Sequence, residues 1–139
     1  MGKNIGKFVL TLRGKTRIFS ETMGAENELV DWEQLDMMAD GYTPDFVEIY
    51  REFLDQTPEL LDVLEKHFLQ DDVEQTREAA HKAKGSAANF GFVGVSVPMS
   101  RLELQAKEAG NLGGARKWVQ EARENFERSK TEIHEKRGI

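Results

Sequence analysis

From Asp31 onward, apolar side chains recur at three- and four-residue intervals, with polar residues filling the positions between. That spacing is the period of an α-helix, and it commits the chain to helices that each bury one face. The longest stripe comprises Phe46, Ile49, Tyr50, Phe53, Leu54, Leu60, Leu61, Leu64 and Phe68. Thr43-Pro44 opens it, a capping residue followed by proline at the first helical position. Pro58 interrupts the stripe and is expected to kink or split the helix near Thr57.

The flanking segments carry their own start and stop signals. Asp31 caps a short helix reaching Met38 or Ala39, with Glu33 in its first turn and Asp40-Gly41 at its end. Asp71 reads as the cap of a third helix, with Glu74 completing a capping box, and this helix runs to Phe90 or Gly91. Gly91 and Gly94 allow a tight turn. A fourth helix then has Pro98 in its opening turn and ends near Ala109-Gly110. Asn111 reads as the cap of a fifth helix with the stripe Ala115, Trp118, Val119, Ala122, Phe126 and Ile133. No convincing strand remains in residues 31–139. The short links make neighbouring helices antiparallel, so the expected fold is all-α: an antiparallel four-helix bundle with a short additional N-terminal helix.

The N-terminal segment behaves differently. Residues 1–22 hold five basic residues and one acid, whereas the remainder is strongly acidic and brings the whole chain to −6. Residues 1–24 show no helical period, although Phe8–Leu12 and Thr16–Phe19 read as a small hairpin around Arg13-Gly14-Lys15. A lone hairpin is marginal in water. Residues 1–24 are therefore expected to be a flexible extension and residues 25–139 the helical domain, with Met23 close to the natural start of that domain.

Composition removes several function classes. There is no cysteine, so disulfides, thiolate metal sites and thiol catalysis are excluded. The acidic balance argues against nucleic acid, whose backbone needs a basic face. No apolar run approaches the roughly 20 residues of a membrane helix, and Phe8–Leu12 is too short for a signal-peptide core of about 7–15 residues. A cytoplasmic, soluble protein is expected.

The third helix carries the chemistry. On a wheel of about 100° per residue, Val73, Thr76, Ala79, Ala80, Ala83, Ala87 and Phe90 form one arc opposite His81. His81 points outward, beside Arg77, Lys84, Gly85, Ala88, Glu74 and Glu78. A mid-helix glycine costs roughly 0.5–1 kcal/mol relative to alanine, so Gly85 is a poor choice for stability alone. Gly85 and Ala88 leave a shallow strip that lets another surface approach the imidazole. With an ordinary pKa near about 6.5, an exposed imidazole is largely neutral at pH 7 and can act as a nucleophile toward phosphorus. Lys84 and Arg77 supply positive charge beside it, and a nearby ammonium stabilises a bound dianionic phosphoryl group.

The run His81-Lys82-Ala83-Lys84-Gly85-Ser86-Ala87-Ala88-Asn89-Phe90-Gly91 resembles the signature of the histidine-containing phosphotransfer (HPt) domain family. In that signature a histidine is followed after two residues by Lys-Gly, small residues, an apolar residue and glycine. Leu102-Glu103 resembles the family's Leu-Glu pair in the next helix. The likeness spans roughly Asp31 to Ile133. Two departures stand out: Ala83 occupies a position that is often a larger aliphatic residue, and Pro98 opens the fourth helix unusually.

The resemblance implies a monomeric phosphorelay carrier in two-component signalling, not an independent enzyme. His81 would accept a phosphoryl group from the receiver-domain aspartate of a hybrid histidine kinase and pass it to a response-regulator aspartate. Lys84 would stabilise the phosphorylated state, Gly85 would permit close docking, and Arg77 and Ala88 would contact the partner. No cofactor or metal is expected in the chain itself, because the receiver domain brings the Mg²⁺.

Other residues attract plainer readings. His67 and His134 are structural or surface histidines, scattered too widely for a metal site. Glu103 reads as a solvated acid, with a reach across the helix pair to Lys84 as the alternative. Phe92, Val93, Tyr42 and Phe46 are candidates for exposed apolar docking area. The rival functions are a helical adaptor that binds a receiver without phosphotransfer, the C-terminal module of a hybrid sensor kinase, and an enzyme using His81 as general base. The last needs a concave pocket and a second positioned group.

Overall fold

The computed structural model describes residues 7–12, 15–20 and 28–139. The backbone of Lys7–Leu12 (β1) and Lys15–Ser20 (β2) pairs as an antiparallel hairpin, with Phe8 opposite Phe19 and Leu12 opposite Lys15. The turn expected at Arg13-Gly14 and the domain start expected at Met23 lie outside the described residues.

Residues 28–139 are helical throughout their regular structure. The elements are α1 (Trp32–Ala39), α2 (Pro44–Leu69), α3 (Val73–Asn89), α4 (Val93–Glu108) and α5 (Arg116–Arg137). Helices α2 to α5 form the four-helix bundle and α1 is the short additional helix. Among the described residues, no helix is long and apolar enough to cross a membrane.

Two of the expected caps are in place. Asp31 accepts from the Gln34 backbone N–H at 3.2 Å, and Thr43 accepts from that of Phe46 at 3.2 Å with Pro44 at the first helical position. The cap of α3 is Asp72, not Asp71: its carboxylate accepts from the Gln75 N–H at 3.1 Å. Asp71 is instead used to finish α2. It takes the left-handed conformation, and the N–H groups of Asp71 and Asp72 return to the carbonyls of Phe68 and His67. This Schellman closure satisfies the last carbonyls of α2 and moves the start of α3 by one residue.

Asn111 likewise does not cap α5. Its side-chain oxygen accepts from the Gly113 N–H at 3.0 Å within the connecting loop, and α5 begins at Arg116.

Both internal prolines lie within continuous helices. Helix α2 is not split at Pro58, because Tyr50, Phe53, Leu61 and Leu64 bury one face on both sides of it. The packing of that face outweighs a missing backbone hydrogen bond. In α4, which starts at Val93, Pro98 falls in the second turn and has no N–H to offer the Gly94 carbonyl. The Asn125 side-chain amide of α5 donates to that carbonyl at 3.0 Å and fills the gap. A Cβ on Gly94 would lie 2.8 Å from Asn125 Cβ, so the missing side chain lets α5 come this close.

The core is aromatic. Phe53 stacks on Phe90 at 4.5 Å and meets Phe92 edge-on at 4.8 Å, and Phe92 packs against Phe126 at 5.7 Å. These rings pin α2, the α3–α4 turn and α5 to one centre.

The α3–α4 turn is also tied from outside the hairpin it closes. Asp31 donates to the Gly91 carbonyl at 2.7 Å, and Gln34 Nε2 donates to the Asn89 carbonyl at 3.1 Å. Gly91 has φ +75°, and a Cβ there would meet the Asp31 carbonyl at 2.6 Å, so both conformation and space require glycine. The register of α4 against α3 is thus held at its origin.

Candidate functional site

His81 lies on α3 with its side chain 64% exposed. Its Nδ1 is 2.8 Å from Oε2 of Glu103, which reaches across from α4. Lys84, one turn further along α3, places Nζ 2.7 Å from the other oxygen, Oε1, of the same carboxylate. One carboxylate therefore holds the imidazole and the ammonium together. Glu103 is itself largely enclosed, with a side chain only 14% exposed.

Two effects compete on the Glu103 carboxyl. Burial pushes its pKa up, while hydrogen bonds and charge from Lys84 and His81 pull it down. The second effect wins, and the group sits below the usual carboxylate range. The reading of Glu103 as a solvated acid is corrected by this geometry. The Leu102-Glu103 pair was visible in the sequence. The helical register that turns Glu103 toward His81 was not.

The other face of the imidazole is open. Gly85 is exposed, and a Cβ added to it would meet nothing within 4 Å. Among the described residues, nothing requires glycine at this position. Ala88 differs from expectation: it is buried, at 6% exposure. It shares the wheel sector of His81, yet α4 lies close to α3 near their common turn and covers it. The open strip beside His81 is therefore Gly85 alone, not Gly85 with Ala88.

Arg77 is half-buried one turn before His81, and its Nε donates to Glu74 at 3.2 Å. Its charge is engaged along α3 with Glu74. The suggested apolar docking residues are also corrected. Phe46, Phe92 and Val93 are core residues, and Tyr42 is half-buried and donates to Asp36. A groove of about 390 Å³ lies between α2 and α3, where Ile49, Thr57 and Leu60 face Lys82 and Ser86.

His67 is half-buried near the end of α2 and His134 is exposed on the last turn of α5, both outside the cluster around His81. Among the described residues, no group of three histidine or acidic side chains is placed to hold a metal ion.

The site thus combines an exposed imidazole, an ammonium one turn away and a bare patch of helix, all on the outer surface of the bundle. This is the layout of a group carrier that presents its reactive atom to another protein.

The comparisons agree with that class. The family model for the Hpt domain matches residues 48–132, and the chain belongs to this family. Its members are phosphotransfer carriers, not classical enzymes, and work with receiver domains in phosphorelays. Among solved structures, the chain is similar to histidine-containing phosphotransfer protein B from Pseudomonas aeruginosa PAO1. The TM-score is 0.72 at 20% identity, covering 81% of this chain and 96% of that one. It is also similar to the histidine-containing phosphotransfer protein MtHPt2 from Medicago truncatula, with a TM-score of 0.66 at 23% identity, covering 81% of this chain and 80% of that one. At these identities the likeness concerns the fold. No curated protein matches the chain.

Proposed function

We propose that this chain is a phosphorelay carrier in which His81 accepts a phosphoryl group from a receiver-domain aspartate and hands it to the aspartate of a response regulator. The observation that carries this reading is the exposed His81 imidazole, with Lys84 beside it and an open glycine face at Gly85. In the accepting step a ring-nitrogen lone pair forms the N–P bond. The acyl-phosphate P–O bond of the partner breaks, and the aspartate carboxylate leaves with the bonding pair. The donating step is the reverse reaction with a second receiver.

Lys84 stabilises the phosphorylated state. Its ammonium is one turn from the imidazole, so a modest change of rotamer carries it from Glu103 to a phosphoryl oxygen. Gly85 lets the receiver surface approach within reach of the ring. Arg77, held by Glu74, contributes to docking at the edge of the site. The Mg²⁺ and most of the transition-state stabilisation belong to the receiver, and the chain itself needs no cofactor.

The test mixes the purified chain with a phosphorylated receiver domain and follows label onto it, with His81→Gln in parallel. The expected result is an acid-labile, alkali-stable phosphoryl group on the wild type and none on the variant. Failure of transfer from several receivers, with the fold intact by circular dichroism, would replace this reading with that of a binding adaptor.

A further inference from the structure

We propose that residues 28–42 form a strap that opens and closes on the bundle, held shut by Arg137, and that its closure fixes the α3–α4 turn and with it the placement of Glu103 against His81. This is a regulation of the site on which the carrier function rests.

The strap is under strain. Its helix, α1, has eight residues, and a helix so short is marginal in water on its own. The turn behind it is built from three successive left-handed residues: Asp40 at φ +45°, Gly41 at +91° and Tyr42 at +58°. Only glycine enters that region freely, so Asp40 and Tyr42 hold conformations that they would leave on release.

One side chain opposes that release. The Arg137 guanidinium, at the end of α5, donates to both oxygens of Asp36, from Nε at 2.9 Å and from Nη2 at 2.8 Å. Its Nε also donates to the Tyr42 hydroxyl at 3.2 Å, and that hydroxyl donates to Asp36 at 2.5 Å. The guanidinium carbon lies 4.7 Å from the centre of the Trp32 ring. The helix and its strained turn are thus fastened to α5 at one point. The side chains of Arg137 and Asp36 are 30% and 45% exposed, so the fastening is modest in strength and reversible. Val30, Leu35 and Ala39 are buried, which keeps the closed strap the major state.

The other end of the strap bears on the α3–α4 turn through three backbone groups. Asp31 N–H donates to the Gly91 carbonyl at 2.7 Å, and the Gly94 N–H donates to the Leu29 carbonyl at 3.1 Å. The buried Gln34 side chain donates to the Asn89 carbonyl at 3.1 Å. Lifting the strap removes all three partners together, and the turn must rearrange to satisfy these groups. Gly94 and Glu103 belong to the same helix, α4. A shift of its first turn is therefore carried to the carboxylate that stands 2.8 Å from His81 and 2.7 Å from Lys84.

The experiment is ¹⁵N relaxation dispersion on backbone amides of the full, unphosphorylated chain, which detects minor states exchanging in microseconds to milliseconds. The samples are wild type, Arg137→Glu, Asp40→Gly and the double variant. Glutamate at 137 repels Asp36 and opens the strap. Glycine at 40 relieves the strain and favours closure. In Arg137→Glu, the amides of α1, Gly91, Gly94, Glu103 and His81 should share one exchange process, while those of Phe53 and Phe126 in the core stay flat. The open population should be about tenfold that of the wild type and should fall again in the double variant. Arg137→Met removes the attraction without adding repulsion and reads the same process at lower amplitude should the glutamate variant fold poorly.

Exchange confined to α1, with Gly94, Glu103 and His81 flat, would overturn the link to the site. The same exchange at Phe53 and Phe126 would show unfolding of the whole domain in place of a strap. An open population unmoved by Arg137→Glu and Arg137→Met would remove Arg137 as the fastening. No phosphate is present in these samples, so failure of transfer in the receiver assay bears on the carrier function alone and leaves this result standing.

Discussion

Replacing Gly85 separates stability from function at a single position. Gly85 lies inside α3, and an added Cβ meets nothing within 4 Å. Alanine there should stabilise the chain by about 0.5–1 kcal/mol, through lower unfolded-state entropy and better helix propensity. For a chain of this size that corresponds to a rise of roughly 2–5 °C in melting temperature. Glutamine has nearly the helix propensity of alanine, so Gly85→Gln should also melt higher than the wild type. Its side chain would stand in the space beside His81 and obstruct an approaching receiver. The expected pattern is a more stable protein that transfers progressively worse from glycine to alanine to glutamine. Calorimetry measures the first quantity, and single-turnover transfer from a phosphorylated receiver measures the second. A lower melting temperature for Gly85→Ala would show that the glycine serves the fold. Transfer by Gly85→Gln at the wild-type rate would show that no partner surface comes close at this position.

Three further outcomes are expected. Lys84→Ala should fold normally and shorten the lifetime of the phosphorylated state, because the ammonium is lost while the core is untouched; an unchanged lifetime would leave Lys84 with only its contact to Glu103. Asn125→Ala should destabilise the chain by about 1–3 kcal/mol, the cost of leaving the Gly94 carbonyl opposite Pro98 without a donor, and equal denaturant midpoints would refute it. Asp36 gives a pH signature: the hydrogen bond from Arg137 holds its carboxyl below the ordinary range, so its stabilisation is complete above the unfolded value of about 3.9 and disappears only as the pH falls further. The melting difference between wild type and Asp36→Asn should accordingly stay flat from pH 7 to about 5 and shrink below about 4; a difference already lost at pH 6 would contradict it.

Features that depend on neighbouring residues were legible in the sequence. The caps at Asp31 and Thr43-Pro44 act through hydrogen bonds three residues away, and the arc of Thr76, Ala79, Ala80, Ala83 and Ala87 opposite His81 follows from the helical period. The all-α bundle and the presentation of His81, Lys84 and Gly85 on its surface follow from the same local rules. Where two adjacent residues offered the same local chemistry, the sequence did not choose. Asp71 and Asp72 are both good caps, and the choice fell to the way α2 closes, which takes Asp71 into the left-handed conformation.

Tertiary structure alone decided the rest, because it depends on which helix lies over which. Ala88 is buried because α4 crosses the face that the wheel leaves open. Pro58 does not split α2, because the same face is packed on both sides of it. Glu103 meets His81 and Lys84 because the Gly91 turn, the Asp31 and Gln34 hydrogen bonds and the close Gly94–Asn125 contact set the register of α4. A helical period tells which side a residue is on. The rise and rotation of one helix against another come from packing between residues far apart in the chain, and it is this register that brings a carboxylate to the imidazole.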